Sequence, residues 1–179
     1  ASPEMLSPGD AWMLSLTYSM QLFLDFCGYS EMAIGLARMF NIRIPVNFLN
    51  PYRAVDLQDF WRRWHITLST FLRDYLYIPL GGNRSGAFRV GINVMLTFAI
   101  GGIWHGAGWN FMVLGFGQAL AIIYECTTKK WRVKAFSAVP ERFKVWFGRF
   151  CTYLFYAGSL VFFYSANLGV AFKYFTKLA

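Results

Sequence analysis

Apolar positions in this chain come in long blocks separated by short basic ones, so block length, more than alternation, dictates the elements. The first block runs from Asp10 to about Met39 and is apolar from Trp12 to Phe26 and again over Met32–Ala37. At 1.5 Å per residue it is long enough to cross ~30 Å of hydrocarbon. Asp10, after Ser7-Pro8-Gly9, is the expected N-cap. Arg38 and Arg43 follow the far end, which places that end in the cytosol and residues 1–9 outside.

Pro45 and Pro51 then break the chain before Asp56-Leu57-Gln58-Asp59, a helix start. Trp61, Trp64, Leu68, Phe71 or Leu72, and Tyr75 recur at three- and four-residue steps, with Arg62, Arg63, Arg73 and Asp74 mostly off that stripe. This pattern predicts a pair of amphipathic helices in or under the interface, over about 56–78, and no span. The glycine-rich basic stretch Pro79–Gly86 ends it.

Two further spans follow, about 90–108 running outward and about 109–128 returning inward, then a basic cytosolic loop, Lys129–Lys144. Pro140 opens the helix of a fourth span, about 145–165, and residues 167–178 form a short amphipathic tail on the outer side. The expected fold is all-α: a polytopic membrane protein with about four transmembrane helices and interfacial amphipathic helices, in one partial transmembrane domain over 1–179. There are no internal repeats. Ala1 is not an initiator Met and no signal segment opens the chain, so it is expected to be part of something longer.

Composition agrees. The chain is 56% hydrophobic and 20% aromatic, and its 15% charged residues fall well below the share usual in a soluble domain. A net charge of +8 raises the question of nucleic acid. Eight arginines lie between Arg38 and Arg89 and seven Lys or Arg between Lys129 and Arg149, leaving only Lys173 and Lys177 elsewhere. Fifteen of the seventeen therefore flank apolar blocks, which is positive-inside bias. No nucleic-acid partner is expected; the partner is membrane lipid. Cys27, Cys126 and Cys151 are odd in number and lack CxxC spacing, so they read as small hydrophobes. With two histidines forty positions apart, no metal is expected.

His105 stands in Gly101–Gly108, with no other acidic or basic side chain between Val90 and Tyr124. An imidazole inside or at the end of a span is a functional candidate, because burying it unpaired is costly. The bland reading is a histidine donating to a backbone carbonyl at a helix end. Gly101 and Gly108, one turn to either side, would open a groove in front of it, although ordinary helix packing also uses small residues. Imidazole suits acyl transfer: it takes a proton from an attacking hydroxyl near neutral pH and returns it to the leaving thiolate. Trp104 is expected to support it, and Asn110 is a neutral hydrogen-bonding candidate nearby.

Trp61, Trp64 and His65 share one helical face. They read either as interfacial anchors with snorkelling arginines or as part of a site, in which Arg62, Arg63 and Arg84 would attract a phosphate-bearing donor from the cytosol. Asp25, one turn after Gln21 within the first block, needs a partner at that depth. A structural pairing with an arginine of the middle segment is the expectation, with Gln21 supporting and a catalytic role for Asp25 the alternative.

Taken in order, Asp25–Ser30 with Met32–Gly35, Asn47-Phe48, Pro51-Tyr52, Asp59–Ser69, Arg73–Arg84 and Gly102–Trp109 resemble the membrane-bound O-acyltransferase family, especially its alginate O-acetyltransferase branch. The resemblance covers about Trp12 to Leu178, the middle-to-late part of a family member. It implies that His105 is the family's intramembrane histidine and His65 its second characteristic one. It also implies a cytosolic acyl donor such as acetyl-CoA or an acyl carrier protein, with no bound cofactor. An acceptor on the other face and an exported or periplasmic acetyltransferase partner serving a polysaccharide complete that picture. The chain departs from the pattern where relatives often carry Trp-Gly-x-x-His-Gly: here the run is Leu114-Gly115-Phe116-Gly117-Gln118-Ala119. Cys27 stands in place of a usual Ser, and Tyr164 where Arg is common.

The expected activity is thus an O-acyltransferase of the bacterial inner membrane, moving acetyl toward an exported polysaccharide. His105 would act as general base, with His65 and the arginines shaping the donor side. Two rivals stay open: D-alanyl transfer to teichoic acid, and a transporter or flippase whose His105 lines a permeation path, which the absence of paired broken segments disfavours.

Overall fold

The computed structural model describes residues 6–84 and 86–178; Glu4 of the outer segment and Ser85 of the basic loop lie outside the described residues. Every regular element among them is helical. α1 spans Pro8–Met39, and its N-cap is Ser7, not Asp10. Ser7 Oγ accepts from Asp10 N at 3.2 Å while the Asp10 carboxylate accepts from Ser7 N at 3.1 Å, a reciprocal capping box with Pro8 at the first helical position. The serine that precedes the proline therefore wins the cap.

After α1 an irregular stretch leads through a single helical turn, Pro51–Arg53, to α2 (Leu57–Trp61) and α3 (Ile66–Leu72). Asp56 caps α2, accepting from Asp59 N at 2.7 Å, and Glu125 of the later chain accepts from Leu57 N at 3.0 Å. α3 widens into a π turn over Arg73–Tyr77 before the glycine loop. The expected amphipathic pair is present, but its two members are short and divided at Arg62–His65. His65 sits there in left-handed backbone, φ 45° and ψ 54°. The division turns Trp64 inward. It is buried with Phe48, Phe60 and Tyr156, its ring stacked on Phe60 at 5.7 Å, so it is a core residue and no interfacial anchor.

α4 (Gly86–His105) and α5 (Trp109–Ala135) are the two described helices long and apolar enough to cross a membrane. They form a tight antiparallel pair whose contact is made by backbone. A Cβ at Gly102 would collide with the Phe111 carbonyl oxygen, and one at Gly115 with that of Phe98. α4 stops at His105 and Gly108 caps α5, so Gly101 and Gly108 do not share the helical face expected for them.

α5 runs on to Ala135, which reduces the expected loop Lys129–Lys144 to residues 136–140. Lysine and arginine are good helix formers, and cations are favourable at a helix C-terminus. Arg132 also turns back along its own helix to donate to Glu125 O at 2.9 Å and Thr128 Oγ1 at 3.1 Å. Pro140 caps α6 (Glu141–Ser159), which breaks at Leu160 before the short α7 (Val161–Tyr164). The tail forms α8 (Leu168–Phe175), capped by Asn167. It is not a free surface helix: Ala171 is buried against Val161 and Phe162, and Trp12 Nε1 donates to Leu178 O at 3.1 Å. Serine–tyrosine bonds tie α1 to the rest. Tyr153 and Ser19 meet at 3.0 Å, and the Tyr52 hydroxyl donates to Ser19 O at 2.6 Å.

Candidate active site

Two cavities open in the bundle, the larger among α2, α3, α4 and α5 and the smaller among α1, the α2–α3 break, α4, α5, α6 and α7. The larger, about 500 Å³, is bounded by Trp61, Arg62, Arg73, Gly101, His105 and Gln118, among others. The smaller, about 220 Å³, has Trp64, His65, Trp104 and Phe163 in its wall. Trp61, His105, Leu114 and Gln118 border both, so the two spaces meet at these side chains.

His105 reaches that junction because α4 ends on it. Trp104, with centroids 4.9 Å away, and Phe163, at 5.3 Å, stand nearly perpendicular to its ring and limit its rotation. His65 stands in left-handed backbone at the α2–α3 break and borders the smaller cavity together with Trp61 and Trp64. Phe26 at 4.7 Å and Trp104 at 5.9 Å bracket its ring, and its Nδ1 lies 3.2 Å from Asn47 Oδ1. Burial, reinforced by neighbouring His105, pushes the His65 imidazole down to about 4, so this ring is neutral near pH 7. A non-glycine residue in left-handed backbone is strained by about 1–3 kcal/mol and persists where its surroundings over-determine it.

The cavity walls are largely apolar, yet three buried polar atoms on them have no partner among the described residues: Trp61 Nε1, His65 Nε2 and Gln118 Oε1. They comprise an indole donor, an imidazole nitrogen and an amide acceptor. Buried polar groups are nearly always hydrogen-bonded, so three orphans around one space mark where a polar guest fits.

Of the other residues singled out in the sequence, Arg62 lines the larger cavity. Arg63 turns away to Asp59 at 2.9 Å and to Leu49 O at 3.3 Å. Arg84 is exposed and outside both cavities. Asn110 is corrected to a clamp: buried, and in neither cavity, its amide nitrogen donates to Phe162 O at 2.9 Å and Ser165 O at 3.2 Å. Those are the last carbonyls around α7, which any side chain following Trp109 is placed to catch. The arginine expected for Asp25 is also not there. Asp25 and Gln21 lie on the exposed face of α1, and among the described residues Asp25 makes no ion pair.

Two residues at the site, Gln118 on the cavity wall and Asn47 behind His65, had no role assigned from the sequence. Gln118, 2% exposed, donates through Nε2 to Ser159 Oγ at 2.9 Å and keeps Oε1 toward the cavities. It occupies the place of the missing third histidine, which was the available signal. Asn47, buried beside His65, was visible only as part of a motif.

The membrane-bound O-acyltransferase family model matches residues 10–167, nearly the whole chain. This chain belongs to the membrane-bound O-acyltransferase family. It is 49% identical over 167 residues to the peptidoglycan O-acetyltransferase of Helicobacter pylori, covering 91% of this chain and 30% of that protein. It is 54% identical over 116 residues to a probable alginate O-acetylase of Azotobacter vinelandii, covering 64% of this chain and 23% of the relative. A more distant likeness, 32% over 126 residues, is to the teichoic acid D-alanyltransferase of Bacillus subtilis, covering 65% of this chain and 31% of that one. The chain thus spans less than a third of the length of these relatives. Among the described residues, no group of three or more His, Cys, Asp or Glu side chains is placed to hold a metal ion.

Proposed function

We propose that the whole protein transfers acetyl from a thioester donor, reached from the cytosol, across the bacterial inner membrane toward hydroxyl groups of an exported or cell-surface polysaccharide. Four spans serve this reading: α4 and α5, together with α1, whose 32 residues reach about 48 Å, and the α6–α7 rod. The residues 129–144 face the cytosol and the His105 end of α4 faces the exterior. The donor is acetyl-CoA or an acyl carrier protein, and an exported acetyltransferase relays the group onto polymer.

The observation that carries the reading is that His105 stands where two cavities meet, one bordered by Arg62 and Arg73 and the other by His65. His105 takes the proton from the attacking hydroxyl as its oxygen adds to the thioester carbonyl. The tetrahedral intermediate then expels the thiolate, which receives that proton, leaving an oxygen ester. General base work of this kind contributes about 10² to 10⁴ in rate. Identity of 49–54% to proteins named O-acetyltransferase and O-acetylase, against 32% to a D-alanyltransferase, supports acetyl over D-alanyl.

In the full-length protein, His105→Ala abolishes surface acetylation while its level in the membrane is unchanged. Normal acetyl content in that variant overturns the proposal. Mass spectrometry of the esterified polymer separates acetyl from D-alanyl esters. Thioester hydrolysis by purified full-length protein separates either from a transporter.

A further inference from the structure

The irregular stretch after α1 meets the α2–α3 break at Leu49 N, which donates to Arg63 O at 2.9 Å, at Phe48, which packs on Trp64, and at Asn47, which reaches His65. The Asn47 backbone carbonyl accepts from Ile66 N at 2.9 Å, and its Oδ1 accepts from Thr67 N at 3.2 Å and Thr67 Oγ1 at 2.9 Å. A backbone N–H only donates, so the amide face turned toward Thr67 is the oxygen. The amide nitrogen accordingly faces the other way and donates to Ser30 Oγ at 3.2 Å.

The same Oδ1 lies 3.2 Å from His65 Nδ1. Two acceptors do not share a hydrogen bond, so Nδ1 carries the proton, and in the neutral ring Nε2 keeps its lone pair. That nitrogen is buried without a partner among the described residues, and His65 lines the smaller cavity. Phe26 and Trp104 bracket the ring, and left-handed backbone at His65 sets its direction.

We propose that Asn47 is a positioning residue that holds His65 in its Nδ1–H tautomer, so that Nε2 is the acceptor that first receives the hydroxyl entering the cavity shared with His105, before the hydroxyl turns its proton to His105. The assignment of the hydroxyl rests on the acyl-transfer reading; the tautomer does not. Asn47 itself touches no substrate. It acts as the carboxylate does in a serine-hydrolase triad, by fixing which ring nitrogen faces the reaction.

The test uses full-length protein in lipid membranes with ¹⁵N-labelled histidine, and His65→Gln assigns the His65 signals by difference. The expected wild-type spectrum has Nδ1 protonated and Nε2 bare. Asn47→Leu removes the acceptor and shifts the proton toward Nε2. It lowers kcat by about 10²-fold, with KM for the donor changed less than about twofold. Asn47→Asp keeps an oxygen against Nδ1, keeps the wild-type tautomer and recovers most of the turnover. A wild-type spectrum with the proton on Nε2 overturns the proposal even if no variant folds, and so does an unshifted spectrum in Asn47→Leu. The spectrum is read without any acyl donor. A bare Nε2 in a protein that transfers nothing therefore upholds the positioning by Asn47 and removes only the reaction assigned to it.

Discussion

The α4–α5 pair and the stretch from Asn47 to Gly82 solve opposite problems side by side. The pair is regular, apolar and held by backbone contact at Gly102 and Gly115. The stretch is broken into a turn, two short helices and a π turn, with left-handed residues at Asn50 and His65 and a positive φ at Gly82. Regular helices position a residue only through their length, and α4 does this once, by ending on His105. The irregular stretch positions Trp61, Arg62, Trp64 and His65 individually, because each break resets the direction of the side chains that follow. Chemistry that needs several groups around one space calls for this second kind of segment, and the regular pair supplies the wall it leans on.

The largest effect is expected where the irregular stretch is pinned to the core. Phe60 is 1% exposed and packs on Trp61, Trp64 and Tyr156. Phe60→Ala should lower stability by about 3–5 kcal/mol and release Trp64, measured by thermal unfolding of the full-length protein in detergent. A loss under about 1 kcal/mol would show that the stretch holds its shape without that anchor. The wall comes next. Gly102→Ala drives a methyl onto the Phe111 carbonyl, which is backbone and cannot swing aside, so the helices must part at a cost of about 1–3 kcal/mol. An unchanged unfolding temperature would mean that the pair slides freely, and that regularity does not make it rigid.

One joint between the two regions, beside that of Glu125 with Leu57 N, is Asn93 of α4, wholly buried, whose Nδ2 donates to Gly82 O at 3.1 Å. Asn93→Leu leaves that carbonyl unpaired but also removes the unpartnered Asn93 Oδ1, so the two effects partly offset and the net loss is about 1 kcal/mol. The glycine loop should gain amide exchange while α4 and α5 do not. Equal gain throughout would mean that the regions unfold as one unit.

The same contrast decides what the sequence disclosed. Block length and caps announced α4, α5, the Asp56 start of α2 and the Asn167 start of α8, because these depend on near neighbours. Periodicity put Trp61, Trp64 and His65 on one face, and all three border the smaller cavity, but it did not disclose the break at Arg62–His65 that buries Trp64 against Phe48, Phe60 and Tyr156. Charge misled at Lys129–Lys134, where cations extend α5 instead of leaving it. The partners of Asn47 and Asn110 lie 17 to 20 and 52 to 55 positions away, beyond any local pattern. Gln118 was legible only as a departure from a motif.

The smallest effect on stability, and the one that most sharpens the functional side, is at Arg62. Its side chain is 67% exposed and stands 3.9 Å from Asp59, an ion pair that contributes little in water, so Arg62→Ala should alter stability by less than about 0.5 kcal/mol. Yet Arg62 borders the larger cavity, where an arginine can meet phosphate with a fixed fork of donors. If the donor's phosphates arrive there, the variant raises KM for a coenzyme A thioester about 10-fold with kcat unchanged, and the difference shrinks as salt screens the charges. An acyl-pantetheine, which has the same thioester arm but no phosphate, should be handled equally by both proteins. An identical KM change on the two donors would assign Arg62 to membrane topology alone and move phosphate recognition elsewhere on the cavity rim.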